Sequence, residues 1–143
     1  MKIFGLGALN CALLCVLVTG QGARADDDDP VPSFKSDKGR ETKEFVTKVG
    51  TVVVRAARSK PTKIELEKYE YTKVKAGRTE LKLKMIYHGL VTKKKYTADI
   101  LVKLDSSDAG KWEVLNITYK DNNPNVLKAN IKNVQELIPK FNK

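Results

Sequence analysis

Few side chains in this sequence are suited to chemistry. The candidates are one histidine, His88, two cysteines, Cys11 and Cys15, and a run of four aspartates at residues 26–29. A lone histidine without a cysteine partner makes no metal site, and as a proton carrier it needs an acid beside it. His88 ends a strand-like alternation next to Gly89 and reads as a surface residue. An acidic tract that lacks a glycine-shaped loop is ordinarily solvated rather than a calcium site. No Gly-x-Ser-x-Gly, His-Glu-x-x-His or phosphate-loop pattern is present. Asn116-Ile117-Thr118 matches the glycosylation sequon, but it falls inside a strand pattern. The reading is a non-enzymatic protein with no metal and no cofactor.

The N-terminus carries a different signal. Met1-Lys2 is followed by an apolar stretch over residues 3–18, broken only by Asn10 and the two cysteines, and then by Ala23-Arg24-Ala25. A basic start, a short apolar run and an Ala-x-Ala site are the parts of a secretory signal peptide. The run is short of the about 20 residues that span a bilayer. Cleavage after Ala25 assigns residues 1–25 to the signal, 26–38 to an acidic, Pro-containing lead-in and 39–143 to the folded domain, with a secreted or periplasmic destination and no membrane span in the mature form. Both cysteines leave with the signal, so the mature chain has no disulfide and no thiol. It keeps 25 basic and 17 acidic residues, a net charge of +8. Such a charge favours anionic polymers or acidic proteins as partners. Lysine far outnumbers arginine, however, and lysine-rich faces are commonly just solvated.

The elements that must position these groups follow from periodicity. Residues 40–58 carry Phe45, Val49, Val52, Val53 and Ala56 at helical spacing, with Ser36 or Asp37 to cap the start and Pro61 to end it. Four strands follow, at 62–74, 79–88, 92–104 and 111–120. In the first, Ile64 and Leu66 are out of phase with Tyr69 and Tyr71, which calls for a bulge near Glu67-Lys68. The second places Leu81, Leu83, Met85 and Tyr87 on one face, and the third Tyr96, Ala98, Ile100, Val102 and Leu104. The fourth changes phase between Val114 and the set Leu115, Ile117 and Tyr119. Short glycine-bearing links between strands predict antiparallel neighbours. A last helix, opened by Pro124 and ended by Pro139, carries Leu127, Ile131, Val134, Leu137 or Ile138, and Phe141 on one stripe. The fold class is α+β: an N-terminal helix packed on a curved four-stranded antiparallel sheet, plus a C-terminal helix.

At the turn between the first two strands stands Lys73-Val74-Lys75-Ala76-Gly77. With the helix before it and the strands after it, including Lys93-Lys94-Lys95-Tyr96-Thr97-Ala98, the chain resembles the cystatin family, plant and single-domain members most of all. The resemblance spans about residues 40–120. It implies inhibition of papain-like cysteine proteases by a wedge of three parts: an N-terminal segment with a glycine (here Gly39), a first hairpin with Gln-x-Val-x-Gly, and a second hairpin that usually bears Pro-Trp. On that basis Lys73, Val74, Lys75, Ala76, Gly77 and Trp112 form the protease-contact edge. Gly77 matches the hairpin glycine. Lys73 stands for the Gln and Lys75 for the Val, the second hairpin has no Pro, and Trp112 comes late in it.

Two rivals remain in view. One is an extracytoplasmic binding module of the wider cystatin-like and nuclear-transport-factor-like superfold, holding a polyanion, a protein or an apolar ligand. For a polyanion the patch is Arg78, Lys82, Lys84, Lys93, Lys94 and Lys95. The other is an enzyme of that superfold with acids inside a cone-shaped pocket, which the apolar inward face of Leu81, Leu83, Met85, Ile100 and Val102 disfavours. Processing is directly testable: mass spectrometry of exported protein should find Asp26 as the first residue, and a retained Met1 or a lipidated Cys15 would refute the signal-peptide reading.

Overall fold

The computed structural model describes residues 31–35, 39–90, 93–124 and 129–143. The expected signal peptide and most of the lead-in lie outside the described residues. Helix α1 (Lys43–Ala57) precedes strands β1 (Thr62–Lys75), β2 (Arg78–His88), β3 (Lys95–Asp105) and β4 (Glu113–Asp121), and two short helices follow, α2 (Ile131–Gln135) and α3 (Ile138–Phe141). The strands pair antiparallel in the order β1-β2-β3-β4, an open sheet with α1 against one face. This is the α+β arrangement that the alternation and the short links predict.

Helix α1 starts at Thr42, whose Oγ1 accepts the Phe45 amide at 3.2 Å and donates to the Gly39 carbonyl at 2.6 Å. One orphan donor of the first turn is thereby satisfied. Ser36 and Asp37, the expected caps, fall outside the described residues. The buried stripe is Val46, Val49, Gly50, Val53, Val54 and Ala57, while Phe45, Val52 and Ala56 flank it only half-buried. The stripe is thus turned relative to the expected one, and Gly50 accounts for the difference. A Cβ at that position would sit 2.4 Å from Sδ of Met85 and 2.7 Å from its Cε. The helix backbone itself lies on β2 there, with branched valines on either side.

The inward rows of β2 and β3 are buried as expected, from Leu81 to Tyr87 and from Tyr96 to Leu104. In β1 the register shifts between Leu66 and Lys68, which brings Tyr69 and Tyr71 onto the same face as Ile64 and Leu66. In β4, Lys103 faces Asn116 but Leu104 faces Val114, so Leu115 is the extra residue of a bulge. Leu115, expected inward with Ile117 and Tyr119, is therefore turned out and 43% exposed. Such bulges bend and twist their strands.

The single C-terminal helix expected from Pro124 onwards is replaced by α2 and α3, and residues 125–128 fall outside the described set. Pro139 sits in the first turn of α3 rather than ending a helix. Its missing N–H cannot continue the ladder of α2 but suits a helix start. Val134, Leu137 and Phe141 are buried, Phe141 edge-on to Phe34, whereas Ile131 stays 44% exposed. The outer edge of β4 is closed by side-chain amides. Asn142 accepts the Val114 N–H at 2.6 Å and donates to its carbonyl at 3.0 Å, and Gln135 donates to the Ile117 carbonyl at 2.6 Å.

Gly50 sets the helix-to-sheet distance, so Gly50→Ala should destabilise the protein although alanine is the better helix former by about 1 kcal/mol. Overpacking against Met85 should outweigh that gain, for a net loss of about 1–2 kcal/mol in urea unfolding. In a Met85→Ala background the same change should become neutral or stabilising. An equal cost in both backgrounds would show that the close approach is not the constraint.

Candidate functional site

The β1–β2 turn and the β3–β4 loop lie side by side at one end of the sheet. Lys75 pairs with Arg78 across the first turn, and Gly77 adopts φ +75°, a conformation that favours glycine. The Ser106 amide donates to the Gly77 carbonyl at 3.0 Å, and a Cβ on Gly77 would lie 3.2 Å from the Ser107 Cβ. Thr79 and Ser106 share a hydroxyl–hydroxyl bond of 2.7 Å, and the Arg78 guanidinium stands 3.4 Å from the Asp105 carboxylate. Hydrogen bonds from Ser107 and then the charge of Arg78 hold the Asp105 carboxyl below its usual range.

The segment before α1 joins them. The guanidinium of Arg40, a residue only 6% exposed, lies 4.1 Å from the ring centroid of Trp112 and donates to the Ala109 carbonyl. Tyr71 donates to the Arg40 carbonyl and meets Trp112 edge-on at 5.9 Å. Burial first, and then the Glu41 charge, push the Tyr71 hydroxyl above the usual phenol range, so it remains a neutral donor. Three stretches far apart in sequence, at residues 39–40, 74–78 and 105–112, are therefore tied into one edge.

Of the residues assigned to the protease-contact edge, Lys73, Val74, Lys75 and Ala76 are exposed. Val74 is the extra residue where the β1 register shifts between Lys73 and Lys75, and at 54% it is one of the most exposed apolar residues described. Gly77 is half-buried against Ser107, and Trp112 is withdrawn beneath Arg40 with its indole N–H buried and without a hydrogen-bond partner. The polyanion residues are not brought into one patch. Arg78 is at this edge, paired with Asp105. Lys82 and Lys84 stand mid-sheet, where they line an open depression of about 570 Å³ with Lys68, Glu70 and Asp99. Register sets Lys84 between Lys68 and Asp99, and Lys82 between Glu70 and Leu101, so charges of both signs share that face. Lys93, Lys94 and Lys95 lie at the other end of β2, about 33 Å from Arg78 at the usual strand rise.

Asp121 is the titratable residue most deeply engaged among those described, and its sequence position had suggested no role. Its side chain is 3% exposed, and Arg58 grips both oxygens, at 2.9 and 2.8 Å. Tyr87 and Tyr119 each donate to Oδ2 at 2.7 Å, and the Asn123 amide to Oδ1 at 3.2 Å. Burial on its own would raise this carboxyl, but the hydrogen bonds from Arg58, Tyr119 and Tyr87 override it and hold it at about 2. Burial and the bond to Asp121 push Tyr119 up, so it too stays a donor. With both carboxylate oxygens engaged by Arg58, Tyr87, Tyr119 and the Asn123 amide, the cluster is a structural lock. His88, expected on the surface, is half-buried with its Nδ1 unpartnered.

Compared with family models, with curated proteins and with solved structures, the chain finds no match. The cystatin likeness therefore rests on the sequence features alone.

The lock makes an acid-stability prediction. A folded-state carboxyl held below its unfolded value contributes stability that is complete above about pH 5 and is lost as pH falls toward about 2, here of the order of 2 kcal/mol. Asp121→Asn should remove that slope from the urea midpoint and lower stability at pH 7 by about 3 kcal/mol, since Arg58 is left buried and unpaired. A variant whose midpoint kept the wild-type acid slope would show that Asp121 is not the titrating group.

Proposed function

We propose that the protein is a secreted, non-enzymatic binding protein that meets a protein partner through the edge formed by residues 39–40, 74–78 and 105–112. The convergence of these three stretches carries the reading. They come from separate parts of the chain, yet hydrogen bonds and the Arg40–Trp112 stack hold them in one rigid unit, with Val74 exposed at the bulge just before the turn. Rigid, pre-ordered loops lose little entropy on binding, which is the property a protein-contact edge needs. The apolar filling beneath α1, with Leu81, Leu83, Met85, Ile100 and Val102 all buried, supports a binding role over a pocket for catalysis.

The partner class that the cystatin resemblance implies is a papain-like cysteine protease. A wedge enters such a cleft by shape, and here exposed lysines flank Val74 on both sides. Burying an unpaired ammonium costs several kcal/mol, so the native sequence should inhibit papain weakly or not at all. Replacing both flanking lysines, Lys73→Gln with Lys75→Val, should strengthen inhibition at least tenfold, about 1.4 kcal/mol. Gly77→Glu on that background should abolish the gain. Trp112, the only tryptophan, sits against this edge, so its emission should shift on binding. If the doubly substituted, folded protein leaves papain untouched and the emission unchanged, the first hairpin is not a protease-facing surface.

A further inference from the structure

The opposite end of the sheet has a different character. Thr62 in β1 pairs with His88 in β2, and His88 pairs with Lys95 in β3, so three strands meet there within about 10 Å at ordinary strand spacing. Around that line stand Lys60 and Lys63 on the β1 side and Lys93, Lys94 and Lys95 on the β2–β3 side, all exposed. The β2–β3 turn is closed by bonds of 3.0 Å from the Gly89 amide to the Lys94 carbonyl and from the Lys93 amide to the Gly89 carbonyl. Leu90, in that turn, is 48% exposed. Carboxylates are scarce here among the described residues: Glu65 lies next along β1, and Asp121 is already engaged by Arg58. Lys60, Lys63, Lys93 and Lys95 make no ion pair among the described residues.

A second observation is independent of charge. The positive-φ non-glycine residues among those described are Lys60 at φ 50°, Lys63 at φ 50° and Lys93 at φ 57°. That region is uncommon for side-chain-bearing residues and is taken up mostly by Gly, Asn and Asp. At this one end three such positions carry lysine instead. Lys63 lies in the β1 register shift between Thr62 and Glu65, Lys60 follows the end of α1 and Lys93 closes the β2–β3 turn, so three backbone bends present lysines at the same end of the sheet. Backbone strain of this kind gathers at functional surfaces.

We infer that this end docks on an anionic lipid surface, with Leu90 entering the headgroup region and Lys60, Lys63, Lys93, Lys94 and Lys95 facing the lipid phosphates and carboxylates. The lysines stand on both sides of the line of three paired strands, spread across it rather than along one strand, a layout that meets a plane better than a linear chain. An exposed leucine in the same turn as Lys93 and Lys94 serves a membrane interface, where apolar area and basic charge add, and serves a sulfated polymer not at all. The site is distinct from the protein-contact edge, at the far end of β2, so the two are able to operate at once.

The experiment is sedimentation of the full mature chain with vesicles. It should bind phosphatidylcholine vesicles containing 30% phosphatidylserine at about 0.1 M salt, with loss of binding as salt rises, and should not bind pure phosphatidylcholine. Each lysine removed should weaken binding about fivefold. The triple variant Lys60→Gly, Lys63→Gly, Lys93→Gly is the decisive one. Glycine accepts the left-handed backbone, so the variant should be at least as stable in urea yet bind about a hundredfold more weakly. Leu90→Ser should weaken vesicle binding while leaving retention on heparin unchanged, and Lys103→Gln with Lys111→Gln should change vesicle binding little. Vesicle binding that survives the triple substitution overturns the proposal. So does retention on heparin with no binding to phosphatidylserine vesicles, which would make the surface one for a soluble polymer.

Discussion

One carboxylate joins three elements. Asp121 ends β4, Arg58 caps the C-terminus of α1, and Tyr87 closes the inward row of β2; all meet on the same two oxygens, with Tyr119 as a fourth contributor. A helix lying on a curved sheet by apolar contact alone is free to slide and turn. The Arg58–Asp121 fork permits one position, because a buried ion pair is worth little unless its geometry is met and is costly when broken. Thr42, Gly39 and Arg40 fix the other end of α1, and Gly50 against Met85 sets the spacing between. Since Arg40 also reaches Ala109 and Trp112, placing the helix places the β3–β4 loop, and through Ser106 the first turn.

The two ends of the sheet solve the problem of charge differently. At the Gly77 end the arginines are matched, Arg78 by Asp105 and Arg40 by an aromatic face and a carbonyl, while Lys73 and Lys75 stand exposed. Matched charges and interlocked loops give a surface with a fixed shape. At the Lys93 end Lys60, Lys63, Lys93 and Lys95 make no ion pair among the described residues, and three of them hold a left-handed backbone, so that surface is defined by its potential rather than by shape. A steady field of one sign governs encounter, whereas shape governs what stays bound.

How far the fold was legible in the sequence depended on the range of the signal. Strand alternation is local, so the inward rows of β2 and β3 and the β1 bulge near Lys68 could be read directly. Leu115 was misplaced because the position of a bulge is decided by the partner strand, here Leu104 facing Val114. The stripe of α1 was misjudged because it was read from apolar side chains, and Gly50, whose missing side chain is what lets the helix settle on Met85, carries none. The candidate edge was legible as a turn motif but not as an assembly: nothing local says that Arg40 covers Trp112. Asp121 did leave a trace. It follows Tyr119 by two residues, which puts an acid on the inward face of a strand, where an acid must have partners.

The edge of β4 is sealed by amides of Asn142 and Gln135 where a fifth strand would otherwise pair. The Asn142 amide is matched to Val114 as acceptor to N–H and donor to carbonyl. A carboxylate keeps the first bond and turns the second into two oxygens facing one another. Hydrolysis of that one side chain would therefore loosen the sheet from its sealed side. Amide hydrogen exchange near Val114 would register it: Asn142→Asp should exchange faster there, and unchanged protection would mean that the apolar contacts of Phe141 hold the edge shut by themselves.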